Sequence, residues 1–302
     1  MAADPRRLSF LLAVHRAGGI LAAAEILGVT PSAVSQQITR LEAEEGCAVL
    51  DRGPRGVSLT AAGRLLAEAA ERIEAELVEA RNAINALGEG ISGQVAIGAF
   101  QTSIRSIVTP ALQWLAQNYP AISVDVRELE EDVSMRMMRS GELDVAILEH
   151  DSEVKPATPS GMADVALIDE PWRLMIPSGT KPPNQLAGLA AMEFVAGEDG
   201  TASDRALKRL SRTLGTPMRS RHSTYNFDVA ACLVGAGQGV ALIPALAVDS
   251  VSAQGNVAIV RLPGIGTRHI FVRHRATRRE PTGAARAVVD ALVAVAEQID
   301  LQ

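Results

Sequence analysis

The sequence predicts an α/β protein in three parts: a small helical head, a long connecting helix and a larger domain of two α/β lobes. Three observations lead to this prediction. Apolar residues recur at helical spacing in several short runs before residue 50. Further along, apolar residues follow one another at alternating intervals of four and three positions, without a break, as far as Leu87. From Gln94 onward, short apolar strands alternate with helical segments, which is typical of α/β domains.

The composition is that of a globular protein, with 47% hydrophobic and 21% charged residues in a chain of 302. Cys47 and Cys232 stand in unrelated contexts, so neither a disulfide framework nor a zinc site is expected. The apolar run at residues 8–14 has no plausible cleavage site for a signal peptide, and no run approaches a membrane span. We therefore expect a soluble, cytoplasmic protein. The net charge of −6 means that any contact with DNA must depend on where individual arginines lie.

Three short helices are predicted at the N-terminus. The first covers residues 6–16, and the second, "ILAAAEILG", ends at Gly28, whose backbone can adopt the positive φ of a tight turn. Thr30 is a good N-cap, and Pro31 suits the first position of a third helix that runs to about Glu44. Its buried stripe consists of Val34, Ile38 and Leu41.

The second and third helices have the spacing of a helix-turn-helix, with the small Ala24, the Gly28 turn and the buried Val34. In such a pair the second helix enters the major groove, where hydroxyl and carboxamide groups read base edges. The candidate DNA contacts are Thr30, Pro31, Ser32, Ser35, Gln36, Thr39 and Arg40. An ordinary helical hairpin with a solvated polar face has the same spacing, so spacing alone leaves both interpretations open.

Residues 49–60, "VLDRGPRGVSLT", have two apolar ends around a loop with glycine and proline, which predicts a β-hairpin. Arg52 and Arg55 lie on this loop. A hairpin beside a recognition helix is a wing, and its arginines can pair with the phosphates that flank the groove. The alternative is a plain surface turn, in which arginines are common.

With these parts in place, residues 8–67 resemble the winged helix-turn-helix of the LysR-type transcriptional regulators. That pattern has an alanine-rich second helix, a turn, an Ala-Val-Ser-Gln-Gln-Ile run, a Leu-Glu pair, a glycine, an arginine wing and Leu-Thr-x-Ala-Gly. The matching positions are 22–24, 33–38, 41–42, 46, 52 and 59–63. Leu50 stands where the family usually has Phe, which a core tolerates. Pro31 stands where Gln is frequent, so one common base contact is missing or moved to Ser32.

A long helix follows from Thr60, and nothing breaks it before Gly88. Its apolar residues alternate spacings of four and three, as in the seam of a coiled coil: Leu66, Ala70, Ile73, Leu77, Ala80, Ile84 and Leu87. We expect a dimerisation helix, which the family resemblance also implies; the alternative is a core helix of the next domain. Gly88, Gly90 and Gly93 mark a hinge.

Behind the hinge, alternating strands and helices predict parallel sheets with right-handed crossovers, folded as two lobes joined by crossing strands. Strands are expected at residues 94–100, 122–128, 143–149, 165–169, 172–177, 193–197, 218–223, 239–244 and 269–274. Helices are expected at residues 103–118, 133–139, 203–214, 226–236 and 282–299. The predicted domains are a DNA-binding head at 1–60, a linker helix and hinge at 61–90, and an effector-binding domain at 91–302. Lobe I covers about 91–164 and 268–302, and lobe II about 165–267.

This second part also resembles the LysR-type regulators, whose effector-binding domain has the architecture of periplasmic binding proteins. The similarity lies in a strand glycine, Gly98, followed by hydroxyl residues, and in "LVGAGQGVALIP" at residues 233–244. The resemblance thus covers nearly the whole chain. It implies a small-molecule effector between the lobes, a homodimer and a tetramer built as a dimer of dimers.

The candidate effector contacts are polar residues near strand ends, where ligands of α/β domains bind. Helix N-termini with hydroxyl groups favour a carboxylate or another anion. The candidates are Gln101, Thr102, Ser103, His150, Thr201, Tyr225 and Asn226. Ordinary helix capping by Ser, Thr and Asn is the alternative explanation for most of them, and an exposed turn for His150.

The sequence therefore predicts a DNA-binding transcriptional regulator that responds to a small molecule. A solute-binding protein that keeps its helical head for oligomerisation is the rival, against which the wing arginines argue. An α/β enzyme is the second rival, but no catalytic constellation is visible, and "GAGQG" at residues 235–239 follows a helix rather than a strand. We expect no enzyme activity, no cofactor and no metal.

Overall fold

The computed structural model describes residues 3–53, 56–85, 91–151, 157–159, 161–253, 255–275 and 283–301. The predictions for Arg55, Leu87, Gly88 and Gly90 lie outside these residues. For Arg52 and Ile84 only the backbone is described.

The head forms the three predicted helices and the hairpin. The helices are α1 (Pro5–Ala17), α2 (Ile20–Leu27) and α3 (Pro31–Glu45), and the hairpin strands are β1 (Leu50–Gly53) and β2 (Gly56–Leu59). Thr30 caps α3 by accepting a hydrogen bond from the Ala33 N–H at 3.2 Å. Gly28 adopts φ +64° between α2 and α3, where a side chain would be strained.

The head has its own hydrophobic core, in which the predicted stripe Val34, Ile38 and Leu41 is fully buried. Gly63, the last residue of the Leu-Thr-x-Ala-Gly motif, lies where this core meets the next helix. A Cβ atom there would be 2.1 Å from the main-chain oxygen of Val49. The motif therefore needs glycine because the backbones approach too closely for a side chain.

The long helix α4 spans Ala61–Asn85 and is roughly 37 Å long at 1.5 Å per residue. Its predicted apolar stripe changes environment along its length. Leu66 and Ala70 pack on the core of the head, whereas Ile73 is 36% exposed and Leu77 is 66% exposed. The far part of the stripe is thus left without a partner among the described residues of this chain.

The larger domain contains a seven-stranded sheet in the order β10-β6-β11-β5-β3-β4, with β9 also paired to β6, and a two-stranded sheet of β7 and β8. Its strands are β3 (Gly93–Ala99), β4 (Ile122–Glu128), β5 (Val145–His150), β6 (Met162–Pro177), β7 (Glu193–Gly197), β8 (Arg219–Thr224), β9 (Ala241–Pro244), β10 (Val257–Val260) and β11 (Thr267–Arg275).

Helices cover these sheets. They are α5 (Gln101–Ser103), which continues through a π-helical segment (Ile104–Val108) into α6 (Thr109–Asn118), then α7 (Glu131–Ser140), α8 (Ala202–Leu214), α9 (Phe227–Gly235), α10 (Val248–Ser252) and α11 (Ala284–Ala296). Short 3₁₀ turns occupy Leu186–Ala191 and Ala245–Ala247. One large apolar cluster lies under β3, β5, α6 and α11, and others lie around Trp172 and around Met175.

The predicted parallel pairing is found in only part of the larger domain, whose main sheet is mixed. β3 pairs in parallel with β4 and β5, and β7 with β8, but β6 and β11 run antiparallel to all their neighbours. The strands predicted at residues 165–169 and 172–177 are one strand, β6. Pro171 suggested a break, since proline cannot donate to a ladder. The strand instead changes partners there, from β11 up to Pro171 to β9 and β10 beyond it.

No helix among the described residues is by itself long and apolar enough to span a membrane. The pair α1 and α2 passes that test together, with a bend of 118° between them.

Candidate nucleic-acid interface and ligand cavity

The outer face of α3 carries the candidate DNA contacts. Ser35 is half-buried, and the other candidates are exposed: Thr30, Pro31, Ser32, Gln36, Thr39 and Arg40. None lies beneath the packed core of the head, which takes the opposite stripe of the helix. The structure therefore gives these side chains the accessibility that contact with a duplex requires.

Some hydroxyl groups on this face are engaged within α3 itself. Thr39 donates to the Ser35 carbonyl at 3.0 Å, and the Thr30 and Ser32 hydroxyl oxygens are 3.0 Å apart. The Gln36 and Arg40 side chains make no hydrogen bond to the part of the chain that the structure describes. Gln36 therefore has its carboxamide available for a bidentate contact with a base edge.

The hairpin lies beyond the end of α3 and pairs in register, with Leu50 opposite Leu59 and Gly53 opposite Gly56. Glu42, on α3, accepts hydrogen bonds from the N–H groups of Val49 and Leu50 at 2.9 and 3.3 Å. This carboxylate anchors the start of the hairpin to the candidate reading helix.

A cavity of about 310 Å³ lies between the two lobes of the larger domain. Five of the predicted effector residues line it: Gln101, Thr102, Thr201, Tyr225 and Asn226. Ser103 and His150 are not among its lining residues. The Ser103 hydroxyl is buried and donates to the Phe100 carbonyl at 2.7 Å, and the His150 ring packs against His269 with ring centroids 4.9 Å apart.

Two lining residues are also helix caps, as the alternative explanation expected. Thr201 caps α8 by accepting from the Asp204 N–H at 3.4 Å, and Asn226 caps α9 by accepting from the Asp228 N–H at 2.9 Å. The helical run that begins at Gln101 has no side-chain cap. Its first-turn N–H groups therefore receive no side-chain acceptor and are available to a ligand.

Arg268 also lines the cavity, and no pattern in the sequence indicated it. Its guanidinium is 2% exposed, donates to Glu170 at 2.6 Å and to the Thr102 hydroxyl at 2.8 Å, and stacks over the Phe100 ring. The Thr102 oxygen accepts this bond, so its own hydrogen remains free to donate to a ligand.

The acidic residues of the cavity were missed as well. Glu128, Glu130, Glu131 and Asp132 come from one segment, and Glu149 comes from β5. Burial raises the pKa of the Glu131 carboxyl, and nearby Glu149 adds to the increase while Arg205 opposes it. The run "ELEED" at residues 128–132 was visible in the sequence, but only the fold places it on a cavity wall.

Comparison with known proteins matches both parts of the chain to family models. Residues 5–64 match "Bacterial regulatory helix-turn-helix protein, lysR family", and residues 88–297 match "LysR substrate binding domain". The chain belongs to the LysR family. Its members are DNA-binding transcriptional regulators with an effector-binding domain, and they are not enzymes. The predictions of a transcriptional regulator and of no enzyme activity are therefore confirmed.

Curated relatives of this LysR-family regulator span nearly its whole length. It is 27% identical to the nitrogen assimilation regulatory protein nac of Klebsiella aerogenes, over 98% of this chain and 96% of the relative. It is 30% identical to the corresponding protein of Escherichia coli K12, over 83% and 81%. It is also 28% identical to the dual regulator OxyR of Escherichia coli K12, over 80% and 79%.

Solved structures share the architecture of this regulator. Full-length OxyR C199D from Pseudomonas aeruginosa superimposes with a TM-score of 0.71 at 18% identity, over all of this chain and 97% of that one. CbnR in complex with its target DNA gives a TM-score of 0.54 at 25% identity, over 97% and 99%. The combination of a helix-turn-helix head and a two-lobed effector domain is therefore confirmed.

Proposed function

We propose that the exposed face of α3 reads base edges in the major groove while the wing arginines pair with flanking phosphates. The observation that carries this proposal is the position of Gln36 and Ser35 on the solvent side of a helix whose other face is fully buried. Thr30, Pro31, Ser32, Thr39 and Arg40 flank them and would supply phosphate and further base contacts.

The test is a mobility-shift titration on the DNA upstream of the protein's own gene, with unrelated duplex as competitor. Ser35→Ala combined with Gln36→Ala should remove the preference for the specific site. Arg52→Ala should instead weaken binding to every sequence alike and flatten its salt dependence. Arg127→Ala, a partly exposed arginine on β4 in the other domain, is the matched control for loss of one charge. Unchanged specificity in the double variant would reject the assigned face.

We infer that the effector binds in the 310 Å³ cavity and carries a carboxylate or a similar anionic group. The uncapped helix start at Gln101 and the free hydroxyl hydrogen of Thr102 support this inference, because both donate hydrogen bonds toward negative charge. Thr201, Tyr225 and Asn226 line the opposite lobe. A thermal-shift screen over carboxylates tests this site, followed by the same measurement on the Thr102→Val variant. An acid that binds the variant as tightly as the wild type would contradict the inference.

We propose a homodimer formed through α4, and a tetramer that pairs two such dimers through their effector domains. The half-exposed stripe at Ile73 and Leu77 supports the dimer, since an apolar seam of this length is unfavourable in water. The division into a head at residues 1–60, a linker at 61–90 and an effector domain at 91–302 follows the same proposal.

Closure of the lobes on the effector would alter the spacing of the heads and hence the bend of the DNA. A cytoplasmic location belongs to the same proposal and is supported by the DNA-binding function of the family.

A further inference from the structure

One carboxylate oxygen of a residue that lines the cavity is buried and has no hydrogen-bond partner among the described residues. Glu149, near the end of β5, is 8% exposed and lines the cavity. Its Oε1 pairs with the Arg205 guanidinium of α8, whereas Oε2 has no partner among the residues that the structure describes. A buried acceptor without a donor is costly, and such groups are rare in folded proteins. A ligand that brings a donor to Oε2 would remove this cost.

The charge of the cavity points to the kind of donor. Five carboxylates line it, against two guanidinium groups, which leaves a formal charge of −3. Both arginines are already engaged, Arg205 with Glu149 and Arg268 with Glu170. A ligand with negative charge alone would therefore lie in a field that repels it. A positively charged group on the ligand would compensate the negative charge of the lining carboxylates.

Glu131 and Glu149 line the same cavity. Glu131 lies at the start of α7, and the Glu149 carboxylate contributes to the raised pKa of its carboxyl group after burial, which is the larger cause. Glu149 comes from the central sheet, so the two side chains belong to different elements that meet at the cavity. An ammonium group has three donors and no acceptor, and can satisfy Oε2 and a second carboxylate at once.

We propose that the effector carries a protonated amine and that this amine binds between Glu149 and Glu131. This inference rests on the proposed function, because it uses the same cavity whose Gln101–Thr102 helix start receives the carboxylate of the effector. The two ends together describe a zwitterion of the amino-acid type, held with its carboxylate at the helix start and its amine at the acidic wall.

The experiment uses the full-length chain and two matched sets of probes. The first set is the common L-amino acids and short ω-aminocarboxylates of increasing length; the second is the same molecules without the amino group. Thermal shift finds the probes that bind, and calorimetry gives their affinities. Glu149→Gln and Glu131→Gln are compared with Glu297→Gln, an exposed carboxylate at the end of α11 and outside the cavity. Circular dichroism verifies that each variant is folded.

We expect an amino compound to bind at least tenfold more tightly than its deaminated partner. Glu149→Gln should reduce that affinity by about 10- to 100-fold, as for loss of a charge-assisted hydrogen bond, and Glu131→Gln by a smaller factor. Deaminated acids that bind as well as the amino compounds, or that bind alone, would overturn the amine while leaving the proposed effector cavity intact. If no probe of either set binds, both the amine and the carboxylate proposal fall. Should Glu149→Gln not fold, an unchanged affinity in Glu131→Gln rejects the acidic wall.

Discussion

Arg16 in the DNA-binding head donates a hydrogen bond to the main-chain oxygen of Ser140 in the effector-binding domain, at 3.2 Å. The same guanidinium pairs with Glu74 of the linker helix at 2.6 Å. Arg275, on the long strand β11, donates to the Met138 carbonyl at 2.6 Å beside this contact, and burial lowers its pKa while Glu74 opposes the change. One arginine therefore joins the head, the linker helix and the end of α7.

This contact lies at the opposite end of the helix whose first residue, Glu131, lines the effector cavity. Replacing Arg16 by Ala should release the head from the effector domain at a cost of about 1 kcal/mol, since the side chain is mostly buried. We expect a larger radius of gyration by small-angle scattering. Arg6→Ala on the same helix, where the side chain is exposed, is the control. Equal radii for wild type and both variants would contradict the role of this contact.

Glu170 and Arg268 form a buried ion pair between the two crossing strands, with side chains 0% and 2% exposed. Glu170→Gln leaves the guanidinium without its counter-charge, and we expect the free energy of unfolding to fall by roughly 3–5 kcal/mol in a urea titration. Asp125→Asn breaks the exposed pair with Arg127 and should change stability by less than about 0.5 kcal/mol. The double change Glu170→Gln with Arg268→Met should recover part of the loss; a loss larger than in the single variant would show that the charge is not the cause.

The head was predicted nearly to the residue because its signals are local. The Thr30 cap and the Gly28 turn act within a few positions of the residues that they organise. The long strand β6 was not predicted as one element, since its continuity through Pro171 depends on partners that lie about a hundred residues away in the sequence. Pairing over such distances leaves no periodic pattern to detect.

The cavity residues that were predicted have local sequence signals, whereas those that were missed depend on contacts between residues far apart in the sequence. Thr201 and Asn226 were found because they precede helices. Arg268 is 166 positions from the Thr102 hydroxyl that it contacts, and Glu149 is 56 from Arg205. Their burial and pairing arise from the crossing strands, so the sequence alone shows only a charged residue in an apolar strand.

Leu77 lies on the outer half of the linker stripe and is 66% exposed. If this stripe forms the dimer seam, Leu77→Glu places a charge in it on both sides and should shift the protein toward monomer in sedimentation velocity. Arg72→Glu introduces the same side chain at an exposed position off the stripe, so it should keep the wild-type sedimentation coefficient. A Leu77→Glu protein that sediments like wild type would place the dimer contact elsewhere.

Glu131 gives a pH dependence of stability whose sign can be worked out. Burial raises the pKa of its carboxyl group above the ordinary value, with Glu149 and Asp132 adding to the increase and Arg205 and Arg273 opposing it. A carboxyl with a raised pKa in the folded state stabilises the fold when protonated, and this contribution is lost as pH rises through the folded-state pKa. Glu131→Gln cannot ionise and does not lose it. Without ligand, the two proteins should have similar melting temperatures below about pH 4, and the variant should become the more stable one as pH increases. Calorimetric scans across this range measure the difference. If the difference in melting temperature stays constant, or if the wild type becomes the more stable protein at higher pH, the surroundings of Glu131 do not destabilise its ionised carboxylate.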